Sequence, residues 1–361
     1  MNTPLYDIAL SLLYRNRLRK ALNLLDRYGS AEAAWRTLDE QDMQACLTRA
    51  QQELEWIEAH GIHVWTLADE DYPYRLRQCP DKPVVLYGKG NLHPSDGHIV
   101  SIVGTRQPTQ RGKEQTEALV KQLHEQLESV TIVSGGAYGI DITAHRTAIQ
   151  CGIPTIIIPA HGLDRIYPYH HRADAIAALE HGGILTEFPS QTEPFPPLFV
   201  QRNRIVAGLA DAVVVVESKA RGGSLITAQM AFDYNRELFA FPGRPTDVTS
   251  TGCNELIRST KAVLINSAEE LIATMQWKTN TKDSKQAAGI QTTMIGLMDD
   301  LSPEQQQLLA TLQEAEEGMH INLLVMETER PYGDVSSDLM ELELQGLVRS
   351  LPGGIYRFAR P

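Results

Sequence analysis

Residues 99–146 constrain the fold of this chain more than any other stretch. They read IVSIVGTRQPTQRGKEQTEALVKQLHEQLESVTIVSGGAYGIDITAHR. Two short apolar runs, 99–103 and 131–133, each end in a turn of small residues, Gly104-Thr105 and Ser134-Gly135-Gly136. Each turn leads into a segment with helical spacing. A repeated strand, small-residue turn and helix is the pattern of an α/β sheet whose strand ends and helix N-termini meet at one edge and collect anions.

The pattern continues to about residue 275. Strands are expected at 155–159, 183–187, 212–217 and 238–241, and helices at 109–128, 140–150, 171–181, 198–210 and 224–235. The run Ala212-Val213-Val214-Val215-Val216 suits a buried parallel strand better than an edge strand. The alternation predicts an open, doubly wound parallel sheet. Upstream, 1–60 has helical spacing throughout, with Ser30 placed to cap a helix from Ala31 and a longer helix over 43–60. Short strands are expected at 63–66 and 83–88. Residues 276–296 are polar and aperiodic, as a linker would be. Beyond them, Ser302 with Gln305 three residues later matches a capping box. Helices over 303–314, about 320–328 and 334–347 precede two short strands around Pro352-Gly353-Gly354, the outline of a winged helix. A chain of 361 residues suits two or three domains.

Several function classes are disfavoured. No apolar run approaches the roughly 20 residues of a membrane span, and no signal pattern opens the chain, so a cytoplasmic protein is expected. The four cysteines are scattered and form no CxxC, which argues against a disulfide framework or a zinc site. The net charge is −12, and residues 296–361 alone carry −8. Bulk electrostatic attraction to nucleic acid is absent, so any such site must come from local clusters of Arg and Lys.

Those clusters fall on the turns. Gly104-Thr105-Arg106 offers close backbone approach and a guanidinium that can fork onto a phosphate. Ser134-Gly135-Gly136 resembles a phosphate cradle, but it lacks the Lys-Ser/Thr of a P-loop and the spacing of GxGxxG. Lys219-Ala220-Arg221-Gly222-Gly223-Ser224 makes a third such turn, with Gly223 and Ser224 at a helix start. Arg202, Asn203 and Arg204 form the sharpest basic segment. Two residues apart, Arg202 and Arg204 cannot share a face of a regular helix. Either both sit at a looser helix start, or one meets an anion while the other pairs internally with Glu187 or Glu217. Asp141 and His145, spaced i,i+4, could be an acid–base pair or metal ligands, or a helix-start Asp and a packed His. His161, His170 and His171 invite a metal hypothesis that no carboxylate or cysteine spacing supports.

Taken together, these stretches resemble the DprA/Smf family of bacterial DNA-processing proteins. The resemblance is carried by Val103-Gly104-Thr105-Arg106, by Ser134 to Asp141 with His145, by Gly162-Leu163-Asp164 with Tyr167-Pro168, and by Glu187-Phe188-Pro189. Arg202 to Leu209, Gly223 to Ala228, Phe241-Pro242-Gly243 and Gly252 to Ile257 follow in family order, so that it covers about 72–265. It implies an extended Rossmann-like domain at 66–275, a helical domain resembling a sterile-alpha-motif or helix-hairpin-helix at 1–65, a linker at 276–296 and a winged-helix domain at 297–361.

The resemblance further implies single-stranded DNA binding, homodimerisation and loading of the RecA recombinase during natural transformation, with no catalysis, cofactor or metal. DNA phosphates are then expected on Gly104, Thr105, Arg106, Ser134, Gly135, Gly136, Arg202, Asn203, Arg204, Lys219, Gly223 and Ser224. Bases would stack on Tyr138, Tyr167 or Phe199. Replacing Arg106 or Arg202 by alanine should weaken binding and leave the fold intact. The acidic terminal domain suits a protein-interaction or regulatory module better than a duplex binder. Two other functions share the architecture. One is a nucleotide hydrolase of the lysine-decarboxylase-like phosphoribohydrolase type, using Asp141 or Glu187. The other is a nucleotide-sensing adaptor.

Overall fold

The computed structural model describes residues 4–280, 301–315 and 318–359. The expected linker lies mostly outside them. The chain divides into two compact units, one gathering the residues up to Ala268 except Gln126–Glu128, the other the remainder.

The first unit begins with four helices, α1 (Leu5–Leu13), α2 (Leu18–Tyr28), α3 (Ala31–Trp35) and α4 (Met43–His60). As expected, Ser30 caps α3, its hydroxyl accepting from the Ala33 N–H. Ile8, Ala9 and Leu10 are fully buried, and they cluster with Trp35, Ala50 and Ile57. The same cluster contains Val84, Val85 and Tyr87, so the helices are roofed by the first strands of the sheet rather than standing alone.

That sheet has nine strands. They are β1 (His63–Thr66), β2 (Val85–Gly90), β3 (His98–Val103), β4 (Val130–Ser134), β5 (Thr155–Ile157), β6 (Gly182–Thr186), β7 (Ala212–Val215), β8 (Glu237–Ala240) and β9 (Val263–Leu264). Their spatial order is β1-β2-β6-β5-β4-β3-β7-β8-β9. From β6 to β9 every pairing is parallel. The expected doubly wound sheet is therefore present, but it is mixed. β2 runs antiparallel to β6, and β1 antiparallel to β2. The expected boundary at 65/66 falls inside β1.

The intervening helices are α5 (Tyr74–Arg77), α6 (Gln110–Gln126), α7 (Ile140–Cys151), α8 (Arg172–Glu180), α9 (Pro196–Gly208), α10 (Gly223–Asp233) and α11 (Thr251–Arg258), and α12 (Ala268–Met275) follows β9. The elements at 251–275 are additions to the sequence expectation. β7 is an interior strand and wholly buried, as its β-branched run requires. Arg75, 3% exposed, clamps α5 to the start of that strand through a two-pronged bond to Asp211 at 2.6 and 2.8 Å. It also reaches the carbonyls of Ser95 and Gly97, so its charge is fully engaged.

Strand order reverses beside β3. β4 lies on one side of it and β7 on the other, and the chain winds outward in both directions. In open α/β sheets, ligands bind beyond the strand C-termini at such a switch point.

The second unit contains all of α12 but its first residue, then α13 (Pro303–Glu314), β10 (Met319–His320), α14 (Ile321–Thr328), α15 (Tyr332–Leu344), β11 (Val348–Leu351) and β12 (Ile355–Phe358). Both bonds of the capping box at Ser302 and Gln305 form. The hairpin gains a third strand, giving the order β10-β12-β11. Leu308, Leu312, Leu324, Val335, Leu339 and Leu342 fill the centre. α15 carries Asp334, Asp338, Glu341 and Glu343 and no basic residue, and Met340 and Leu344 are exposed on it. Among the described residues, no helix is long and apolar enough to cross a membrane.

Candidate nucleic-acid interface

A cleft of about 570 Å³ opens at the switch point. The turns after β3, β4 and β7 and the outer half of α9 surround it. Of the residues expected to bind phosphate, Gly104, Thr105, Arg106, Gly135, Arg202, Asn203, Lys219, Gly223 and Ser224 line it. Turns separated by more than a hundred residues in sequence are thus gathered at one sheet edge.

The turn after β3 is built on close contact. A Cβ on Gly104 would fall 2.5 Å from Ile140 Cγ1 and 2.9 Å from its Cβ, which leaves room for glycine alone. The Thr105 N–H donates to the Glu217 carbonyl at 2.8 Å, and its carbonyl accepts from the Ile140 N–H at 3.2 Å. Arg106 is left exposed on this rigid loop. The helix that follows offers fewer free donors than a bare N-terminus would. Thr109 Oγ1 accepts from the Gly112 N–H, and the carboxylate of Glu217, 3% exposed, accepts from the Thr109 N–H at 2.8 Å. The protein supplies its own anion at the start of α6.

The N-terminus of α10 differs. Its N-cap is Gly222, which supplies no side-chain cap, and Gly222, Gly223 and Ser224 all line the cleft. A Cβ on Gly223 would meet nothing within 4 Å, so the backbone there is open to a ligand. The Ser224 hydroxyl donates to Ser218 Oγ at 2.9 Å. Lys219 and Arg221 are exposed on the same turn. Unpaired N–H groups, the helix dipole and two cations converge here.

Arg202 and Arg204 lie in the middle of α9, not at a loose helix start, and the i,i+2 spacing turns them to different sides. Arg202 reaches the cleft floor. Its Nη1 donates to the carbonyl of Gly135 at 2.6 Å and to that of Ile158, tying α9 to the turn after β4 and to the end of β5. Only 4% of it is exposed, and burial brings its pKa down to about 10, with Asp141 opposing the shift. It therefore remains charged at neutral pH. Gly135 is required beside it, since a Cβ there would lie 2.7 Å from Arg202 Nη2 and 2.7 Å from Asp141 Oδ2.

Three expected phosphate ligands are placed elsewhere. Arg204 is buried in an ion pair with Glu187 and a bond to the Asp81 carbonyl, the internal alternative foreseen for one of the two arginines. Ser134 is fully buried and donates to the Ile102 carbonyl at 2.6 Å, because β3 lies directly beside β4. Gly136 shapes its turn at a φ of 68° and accepts from His171. None of the three lines the cleft.

The aromatic candidates divide as well. Phe199 and Tyr167 line the cleft and meet edge to face, with centroids 6.0 Å apart. The Arg106 and Arg202 guanidinium carbons lie 5.4 and 5.9 Å from the Phe199 centroid. Tyr138 lines a separate hollow. Lys219 and Arg221 were legible as a basic turn, but the sequence did not say that Ser218 and Thr227 would join them in the cleft wall.

The acid–base and metal options have a bland outcome. His145 is fully buried against Thr155 Oγ1 at 2.7 Å, and burial lowers its pKa to about 3. Asp141 lines the cleft, its pKa raised by burial against the opposing pull of Arg202. His161 accepts from the Tyr167 N–H and is part of the loop's scaffold. Among the described residues, no group of three or more His, Cys, Asp or Glu is placed to hold a metal.

Fold and cleft define an α/β protein with a cation-lined groove at the switch point of its sheet, followed by a winged-helix domain. Comparison with known proteins makes this specific. Residues 63–276 match the family model of DNA recombination-mediator protein A, and 298–354 that of the DprA winged helix domain. Protein Smf of Synechocystis sp. is 35% identical over 318 residues, covering 80% of this chain and 78% of its own. Protein Smf of Escherichia coli is 32% identical over 317 residues, covering 84% and 80%. A crystal structure of DprA from Streptococcus pneumoniae superposes with a TM-score of 0.66 at 30% identity, covering 76% of this chain and 98% of that one. DprA from Helicobacter pylori, whose structure describes a single-stranded DNA binding mode, superposes at 0.53 with 32% identity over 59% of this chain and 96% of that one. The chain belongs to the DprA/Smf family of DNA-processing proteins.

Proposed function

We propose that this chain binds single-stranded DNA in the switch-point cleft, without catalysis, and as a homodimer passes it to the RecA recombinase during natural transformation. The observation that carries the binding is the convergence of the uncapped α10 N-terminus with Arg106, Lys219, Arg221 and Arg202 around Phe199 and Tyr167. Backbone donors and guanidinium groups suit phosphates of any sequence, and aromatic faces suit any base. The family relationship and the H. pylori relative's single-stranded binding mode support the same conclusion. Recombinase loading and dimerisation are carried by the family resemblance.

The hydrolase alternative needs a poised carboxylate. Glu187 is committed to Arg204 outside the cleft, and Asp141 alone remains within it. Incubation with nucleoside monophosphates should release no free base. Release abolished by Asp141→Asn would establish the enzyme instead. The binding itself is tested by titrating labelled oligothymidine and a matched duplex over a salt series. Preference for the single strand, with affinity falling steeply with salt, is expected. Equal affinity for the two would overturn the proposal.

A further inference from the structure

Across the turn formed by 135–139 lies a second hollow, about 540 Å³, on the side away from the cleft. The partition is one turn thick: Gly135 and Ala137 line the cleft, while the next two residues, Tyr138 and Gly139, line the hollow. Tyr138 is 45% exposed. Its ring meets His171 edge to face, with centroids 4.7 Å apart and planes inclined at 67°, a geometry that covers at most one face of the phenol. His171 is itself anchored, its Nδ1 3.0 Å from the Gly136 carbonyl, and the Tyr138 hydroxyl lies 3.4 Å from His170 Nδ1. The tyrosine is therefore held in place rather than free to sweep, as a stacking platform must be.

The other walls supply what a nucleotide needs. Lys113, exposed on α6, and Arg146, paired with Asp174 at 2.8 Å, both line the hollow. Thr143 and Gln150 of α7 also face the hollow and offer hydrogen-bonding groups. The hollow is less basic than the cleft, setting Lys113 and Arg146 against Glu117 where the cleft sets Arg106, Arg202, Lys219 and Arg221 against Asp141, so it suits a stacked base more than a cluster of phosphates.

We propose that the hollow is a second base-stacking subsite, filled by a nucleotide of a single strand that leaves the cleft over the 135–139 turn, with its base on Tyr138. The proposal rests on the cleft being the DNA site and extends it in one direction. It makes affinity depend on strand length in a way the cleft alone does not.

The test is fluorescence anisotropy with labelled oligothymidines of increasing length, on the full chain, Tyr138→Ala and Tyr138→Phe, each checked for folding by circular dichroism. A stacked base is worth roughly a 5- to 150-fold change in affinity. On oligomers long enough to pass the turn, Tyr138→Ala should weaken binding within that range, while Tyr138→Phe should match the parent. On oligomers that fill only the cleft, all three proteins should bind alike. Equal affinities of Tyr138→Ala and parent at every length overturn the subsite. So does a loss of the same size at all lengths, which would make Tyr138 part of the cleft's own framework. If the parent binds no oligomer at any length, the cleft assignment fails, and the subsite with it.

Discussion

Arg204→Ala separates a DNA contact from a structural one. The Arg204 side chain is 6% exposed and that of Glu187 9%, and each is the other's ion-pair partner. Removing the guanidinium strands a buried carboxylate, which costs about 3–5 kcal/mol. The Asp81 carbonyl loses its donor too, worth about 1–3 kcal/mol. Set against a total stability of about 5–15 kcal/mol, the variant should sit close to the limit of folding. With a denaturant slope near 3 kcal/mol per M, the urea midpoint should fall by about 1.3–2.7 M. Replacing both partners with Arg204→Met and Glu187→Leu should recover most of the loss, since no charge is then left unpaired. Under conditions where the single variant is folded, its affinity for oligothymidine should stay within about twofold of the parent, because Arg204 does not line the cleft. An unchanged urea midpoint together with a tenfold loss of affinity would refute the assignment.

Other substitutions should divide along the same line. Arg106→Ala, on an exposed side chain, should leave the melting temperature alone and weaken single-strand binding about 10- to 100-fold, with a salt slope shallower by about 0.7. Arg202→Ala should lower both affinity and thermal stability, contrary to the sequence expectation of an intact fold, since two carbonyls lose their donor. Gly135→Ala should abolish binding, because the added methyl overlaps Arg202 and Asp141, whereas Gly223→Ala should fold normally, having open space around it. His145 is neutral in the fold, with a pKa of about 3 against about 6.5 unfolded, so the unfolded chain takes up a proton first and stability falls as the pH drops below about 6.5. His145→Gln should remove that component, about 1.4 kcal/mol per pH unit between pH 6 and 4 in urea titrations; an identical pH slope in parent and variant would contradict it.

The sheet and its turns were legible because strand-type runs, glycines and helix periodicity are local signals. The 212–216 run announced a buried strand, and the glycines and serine at 222–224 announced a helix start, although the N-cap is Gly222 rather than a serine. The side on which each arginine of α9 would fall was not legible. The helix period separates Arg202 from Arg204, but only the sheet order puts Gly135 and Ile158 beneath the first and Glu187 beside the second. Ser134 looked like a phosphate ligand for the same reason. Its hydroxyl is claimed by a carbonyl of the neighbouring strand, and no local pattern reports which strand that is. β1 and β2 were expected as strands, but not their antiparallel direction, because a short apolar run does not declare it.

Arg202 has a consequence of another kind. The same guanidinium that floors the groove holds the middle of α9 to the turn after β4 and to the end of β5. A change of about 1–2 kcal/mol in stability is enough to alter the abundance of a protein several-fold in a cell. An allele altered at this position would reach the bacterium as a scarcity of protein before it was ever judged as a poor binder. Genetic screens for defective alleles would score it as a null, and natural variation there would be purged by quality control as much as by any failure of the site itself.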